Sequence, residues 1–257
     1  MSLSAANLTS TANTPTQEDD PCKQATPELP CANDRSAAFN LQEWRQLERR
    51  RLIGVRKNMA PRQRAQVTGA ISQFLERLLG GATGQTISFC WPFKGEPDLR
   101  ELMARLSKQN NIIALPVVEE RNQPLMFKSW QPGEALDRGV WDIPVPRAGK
   151  PVLPDIVLAP VVGFDPCGFR LGYGGGYFDR TLAAMEHNPI KYGVAYTIGR
   201  IATIHPQTHD IPMNAVVTES GVMWPQLQQL GMSAPSANLS GLGSRNARLP
   251  NRFMRRI

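Results

Sequence analysis

Residues 155–180 read DIVLAPVVGFDPCGFRLGYGGGYFDR, and this stretch sets the fold class. Asp155 leads into Ile156-Val157-Leu158-Ala159-Pro160-Val161-Val162, a short apolar run with the look of a buried strand. Gly172, Gly174, Gly175 and Gly176 follow, almost without Cβ atoms, so the chain can curl and turn several N–H groups to one point. Phe178, Leu182 and Met185 then fall at i, i+4 and i+7, one face of a helix. Strand, Gly-rich turn and helix N-terminus make an anion site, because free N–H groups and the helix dipole both favour phosphate. Arg170 adds a planar, permanently charged donor fork. Asp179, in the first helical turn, stands where a magnesium ion on that phosphate could be met. The glycines alone serve equally as a tight turn. No Gly-Lys-Ser/Thr ends the loop and no dinucleotide spacing is present, so the motif stops at phosphate or nucleotide, with magnesium.

Outward from this stretch, helical and strand patterns alternate. Residues 37–57 have helical spacing, with Leu41, Trp44 and Leu47 on an apolar side and Arg45, Arg49, Arg50 and Arg51 around it. On sequence alone those arginines read as an exposed face. Pro61 opens a second helix carrying Val67, Ile71, Phe74, Leu75 and Leu78 inward, stopped by Gly80-Gly81. Thr86–Phe93 reads as a strand, Pro97 as the first turn of a third helix, Asn111–Val118 and Leu125–Trp130 as strands, and 131–154 as Pro- and Gly-rich loop holding Trp141. Strands at Lys191–Ile198 and Ala215–Thr218 complete the series. The pattern predicts an α/β protein, a layered Rossmann-like fold with a mainly parallel sheet flanked by helices. In such sheets ligands gather at the carboxyl ends of strands, where Glu96, Arg170 and the Gly-rich loop all fall.

Composition sets the outer limits. The 257 residues predict a tail over 1–36, one α/β domain over 37–230 and a loose basic tail over 231–257. The net charge of +7 is uneven: residues 1–38 carry −3 and residues 220–257 carry +5, leaving the body between them basic as well. A basic body suits an anionic small molecule. No basic face with interleaved aromatics argues for nucleic acid. No apolar run reaches membrane-spanning length, and no leader-type apolar segment opens the chain. Cys22, Cys31, Cys90 and Cys167 form no CxxC pair, so neither a zinc site nor a disulfide frame is expected, in keeping with a reducing cytoplasm. His187, His205 and His209 read as surface or structural histidines.

The run Gly163-Phe164-Asp165, Gly168, Arg170-Leu171-Gly172, Gly174-Gly175-Gly176, Tyr177-Phe178 and Asp179 resembles the signature of the 5-formyltetrahydrofolate cyclo-ligase family, also called methenyltetrahydrofolate synthetases. Glu96 after Phe89-Cys90-Trp91-Pro92-Phe93-Lys94-Gly95, Trp141-Asp142-Ile143-Pro144-Val145-Pro146, and Asp210-Ile211-Pro212-Met213-Asn214 resemble further family elements in the same order. Arg45 and Arg49 match a basic pair that reaches ATP, with Arg45 in place of the family's usual Lys. The resemblance spans about residues 40–220. It implies a single-domain enzyme that closes a ring on 5-formyltetrahydrofolate, using ATP as co-substrate and Mg2+. It assigns Arg45, Arg49, Arg170, Leu171, Gly172, Tyr173, Gly174, Gly175, Gly176, Tyr177 and Phe178 to ATP, and Arg170 to catalysis. Trp91, Glu96, Trp141 and Tyr177 would meet the reduced folate, polyglutamylated or not; Asp179 and Asp210 would meet the metal. A cytoplasmic monomer is expected. Arg170→Ala is expected to lose activity and keep its fold. Two other readings stand beside it: a folate- or nucleotide-binding paralogue without turnover, and a different enzyme on the same scaffold, such as a sugar-phosphate isomerase.

Overall fold

The computed structural model describes residues 39–225; the expected tails, and the exact domain limits, lie outside the described residues. Helix α1 (Leu41–Lys57) starts at Asn40, whose side chain accepts hydrogen bonds from the Gln42 and Glu43 N–H groups. Its inward face carries Arg45, Leu52 and Arg56, whereas Leu47 points to solvent. The periodicity reading fails at Leu47, which is exposed, and at Arg45 and Arg49, which are buried and half-buried, whereas Leu41 and Trp44 are half-buried and Arg50 and Arg51 exposed as read. Helix α2 (Pro61–Leu79) has Pro at its first turn and seals Ile71, Leu75 and Leu79 completely. Each such side chain contributes roughly 1.5–3 kcal/mol by leaving water. Helix α3 (Arg100–Ser107) buries Leu102, Met103 and Leu106 and begins three residues beyond Pro97.

These helices pack against a seven-stranded sheet. Its strands are β1 (Thr86–Ser88), β2 (Ile112–Val117), β3 (Met126–Trp130), β6 (Ile156–Pro160), β9 (Ile190–Val194), β10 (Ala215–Thr218) and β11 (Gly221–Met223). They lie in the order β11-β10-β9-β6-β1-β2-β3. The five central strands are parallel, with Ile87 level with both Ile113 and Ile156, and antiparallel β3 and β11 close the two edges. One core layer joins α2 and α3 to the sheet through Phe89, Leu115, Leu158 and Val217. A second, on the opposite residues of the strands, joins Val157, Ala159 and Val216 to Leu182 of α4 (Tyr177–Ala184), with Phe178 and Met185 against it. The helical face predicted from that spacing is the one that packs.

The structure differs from the sequence reading at three places. Strand β1 ends at Ser88, and 89–96 leaves the sheet for the site. Residues 131–154 contain a hairpin, β4 (Leu136–Arg138) and β5 (Pro144–Pro146), paired Asp137 to Val145. Its prolines hid it, since Pro is tolerated only on such edges. Cys167 is disulfide-bonded, which the cysteine spacing did not suggest, and Cys90 is free.

The order of the parallel strands reverses between β1 and β6: β2 lies on one side and β9 and β10 on the other. That reversal leaves a crevice at the strands' carboxyl ends, the usual ligand position in such sheets.

Candidate active site

A cleft of about 570 Å³ opens at this crevice, large enough for a substantial ligand. Its floor comes from Cys90 and Trp91 after β1, Leu115 and Pro116 of β2, and Pro160 of β6. Arg45, Arg49 and Arg50 of α1 give it a cationic wall, and the Gly-rich loop closes the far side.

The loop is built from below. Strands β7 (Gly163–Phe164) and β8 (Arg170–Leu171) form a two-stranded hairpin. The Asp165 carboxylate accepts the N–H groups of Cys167, Phe169 and Ile204, holding the turn closed. The chain then runs exposed through Tyr173, Gly174 and Gly175 into α4. Gly174 and Gly176 have φ of +96° and +64°, a backbone shape that strains any residue with a Cβ. Gly176 caps α4 without a side-chain bond, so the first helical N–H groups stay available. Leu171 is the exception among the predicted residues: its side chain is sealed beneath the hairpin and lines no part of the cleft.

Two arginines of α1 face this loop. Arg45 is clamped: Nε donates to the Ile204 carbonyl at 3.2 Å, and Nη2 to the His205 carbonyl at 2.8 Å and Asp210 Oδ2 at 2.6 Å. A planar fork suits this several-way grip better than an ammonium would. Arg49 differs. Its Nε donates to the Gly172 carbonyl at 2.8 Å, and it forms no ion pair among the described residues. Burial, then the charge of Arg45, pull its pKa below the ordinary arginine value, partly offset by Asp210. A half-buried guanidinium without an ion pair among the described residues, beside loop N–H groups, favours negative charge at this point.

Arg170 is not free in the same way. Its side chain is 3% exposed, and it donates to Asp179 Oδ1 at 3.0 Å and to the Ile211 carbonyl at 2.8 Å. Burial depresses its pKa, and Asp179 opposes that shift. The guanidinium therefore ties α4 to the Ile211 segment as well as lining the cleft, so Arg170→Ala, expected to keep its fold, should do so with reduced stability.

Asp179 Oδ1 also accepts the Ile211 N–H, and Asp210 Oδ2 also accepts the Gln207 N–H. Burial raises the Asp210 pKa, but Arg45 and the Gln207 N–H outweigh it and hold the carboxyl below its usual range. Asp179 Oδ2 accepts no hydrogen bond from the described residues, and Asp210 Oδ1 meets only His209 Nε2, at 3.9 Å. No group of three or more His, Cys, Asp or Glu side chains able to hold a metal occurs among the described residues. Magnesium usually takes one or two carboxylates and completes its shell with phosphates and waters. Two carboxylates, each with one oxygen that accepts no hydrogen bond from the described residues, suit a magnesium whose other ligands are phosphate oxygens and waters.

The opposite end of the cleft is aromatic. Trp91 stands edge-on to Trp130 at 5.8 Å and under the Arg100 guanidinium at 4.9 Å. Trp141, at the tip of the β4–β5 hairpin, is 57% exposed and meets Tyr177 of the loop edge-on at 5.6 Å. It sits at φ +55°, with Asp142 at +62°, so two successive residues hold left-handed backbone to place the indole there. Glu96 is buried, and Phe93 N–H donates to its Oε2 at 3.0 Å. Burial raises its pKa, against the pull of Arg56, the Tyr173 hydroxyl and the Phe93 N–H. Of the predicted site residues, all but Leu171 line this one cleft. Sequence reasoning missed Arg56, Lys94 and His209. Arg56 has the signal in hindsight, since it lies eleven residues after Arg45 on the same helical face.

Fold and cleft together define an α/β protein with one cleft, cationic and glycine-lined at one end and aromatic at the other. A family model, the 5-formyltetrahydrofolate cyclo-ligase family, matches residues 41–219, and the chain belongs to that family. It is 29% identical over 182 residues to the Haemophilus influenzae 5-formyltetrahydrofolate cyclo-ligase, covering 68% of this chain and 97% of the relative. It is 33% identical over 144 residues to the Escherichia coli enzyme of the same name, covering 53% and 79%. The solution structure of Aquifex aeolicus 5,10-methenyltetrahydrofolate synthetase superposes with a TM-score of 0.62 at 28% identity, over 71% of this chain and 93% of that one. No helix among the described residues is long and apolar enough to cross a membrane.

Proposed function

We propose that this chain converts 5-formyltetrahydrofolate to 5,10-methenyltetrahydrofolate, with ATP consumed and ADP and phosphate released. The observation that carries the reading is the unpaired Arg49 guanidinium, bonded to the Gly172 carbonyl of the loop that family membership associates with this chemistry. The N5-formyl group is an amide, and its carbon is a poor electrophile. Its oxygen attacks the γ-phosphorus and ADP leaves. N10 then attacks the activated carbon and loses its proton, and the C–O bond breaks to release phosphate. Phosphoryl transfer asks a protein mainly for positioning and charge. Arg49, the loop N–H groups from Gly172 to Gly176 and the α4 N-terminus hold the triphosphate, and Arg45 and Arg170 fix the walls. Asp179 and Asp210 would hold magnesium, which offsets charge on the transferring phosphoryl group when bound. Glu96 accepts N–H groups of the pterin edge, while Trp91, Trp141 and Tyr177 flank the rings.

The test is absorbance of methenyltetrahydrofolate formed from 5-formyltetrahydrofolate, with and without ATP and magnesium. Product that depends on both is expected. Folded protein that binds ATP or folate and makes no product would overturn the reading in favour of a binding paralogue.

A further inference from the structure

Tyr173 belongs to the Gly-rich loop, yet its hydroxyl lies on the other side of the cleft. It donates to Glu96 Oε1 and accepts from Arg56 Nη2 at 2.5 Å. Its ring meets Phe93 at 5.6 Å and lies under the Arg56 guanidinium at 5.7 Å. Arg56 is locked in turn, with Nε donating to the Lys94 carbonyl at 3.0 Å and Nη1 reaching the Val161 carbonyl at 3.5 Å. Its side chain is 5% exposed, and its closest approach to Glu96 Oε1 is 3.9 Å. The phenol therefore bridges a buried cation and a buried carboxylate whose own ion pair is a long 3.9 Å.

We propose that Tyr173 and Arg56 are positioning residues that fix the Glu96 carboxylate for the folate, so that the phosphate loop and the folate end share one hydrogen-bonded chain. This rests on the assignment of Glu96 to the folate made above. The groups that face Glu96 are Arg56 from α1, Tyr173 from the loop, Cys90 after β1 and Tyr196 after β9, with Lys94 and Arg64 flanking Arg56. Burial favours the neutral acid, and the Tyr173 hydroxyl and Arg56 oppose it. A neutral acid cannot accept two N–H groups from a 2-amino-4-oxopyrimidine edge. Loss of the hydroxyl should therefore harm folate use most at low pH, where the carboxyl keeps its proton.

The test uses wild type, Tyr173→Phe and Arg56→Lys. The acid limb of kcat/KM for 5-formyltetrahydrofolate is followed at saturating ATP from about pH 5 to about pH 8. The Glu96 carboxyl is titrated separately by difference infrared spectroscopy without ligand, with Glu96→Gln as reference. Tyr173→Phe is expected to lose about tenfold in kcat/KM at the acid end, the size of one hydrogen bond to a charged group, with the gap narrowing toward high pH. Its carboxyl band should persist to higher pH, and Arg56→Lys should fall between. A variant whose stability drops while its limb and carboxyl titration match wild type would overturn the proposal and leave a structural role. A moved carboxyl titration with an unmoved kinetic limb would also overturn it, by removing Glu96 from folate binding. If wild type itself makes no product, the cyclo-ligase reading fails, and the infrared titration still decides whether Tyr173 sets the state of Glu96.

Discussion

Arg170→Ala separates bracing from ligand contact. The wild-type guanidinium is 3% exposed and makes two bonds, one to the Asp179 carboxylate and one to the Ile211 carbonyl. Removal leaves the carbonyl without its donor. Asp179 keeps the Ile211 N–H and, at 21% side-chain exposure, some water. Breaking a fully buried pair costs roughly 3–5 kcal/mol, and the partial hydration of Asp179 moves this case to the lower end, about 3 kcal/mol. A domain of this size is stable by roughly 5–15 kcal/mol, so the variant should fold, with a clearly earlier transition. Urea unfolding followed by circular dichroism measures this, and the m-value shows whether the transition is otherwise unchanged. Asp179→Asn and the double variant complete a cycle with an expected coupling of about 1–2 kcal/mol. An Arg170→Ala midpoint within about 0.5 kcal/mol of wild type would refute the reasoning. The pair would then contribute nothing to the fold, and the guanidinium would serve the ligand alone.

Other consequences follow from the same contacts. Gly174→Ala places a Cβ on backbone at φ +96° and 3.4 Å from the Arg49 guanidinium. Backbone strain of about 1–2 kcal/mol is expected, together with a higher KM for ATP and a smaller change for folate. The Asp210 carboxyl titrates below its usual range, so the stability it contributes is present above the unfolded carboxylate pKa and is lost as pH falls through the folded one. Acid unfolding of Asp210→Asn should therefore depend less steeply on pH than that of wild type, and parallel curves would contradict the Arg45 pair. Trp141→Ala removes an exposed ring, so urea midpoints should move by no more than about 0.5 kcal/mol while the KM for folate rises.

Much of the fold was written in periodicity. Ile71 and Leu75, read as inward at helical spacing, are sealed in α2, and the apolar run from Ile156 that read as a buried strand is β6. The hairpin over 136–146 was not legible, because Pro144 and Pro146 read as loop until an edge strand is available to hold them. The site was legible in a different sense. The resemblance named most of its residues, whereas elementary reasoning reached only a phosphate near glycines and Arg170, with magnesium at Asp179. The largest error concerned α1. Pattern reasoning sends arginines to water, and a helix carrying Arg45, Arg49 and Arg56 looks exposed by that rule. The structure turns that face inward, because the acceptors for these guanidinium groups come from distant segments: Ile204, His205 and Asp210 for Arg45, Gly172 for Arg49, and Lys94 and Tyr173 for Arg56. Buried cations need such partners, and periodicity carries no information about partners 38 to 165 residues away. An arginine face is therefore a core face in this chain because the core beneath it is a polar cleft. Arg49, the one of the three that meets no carboxylate or phenol among the described residues, is the one to which the proposed function gives the triphosphate.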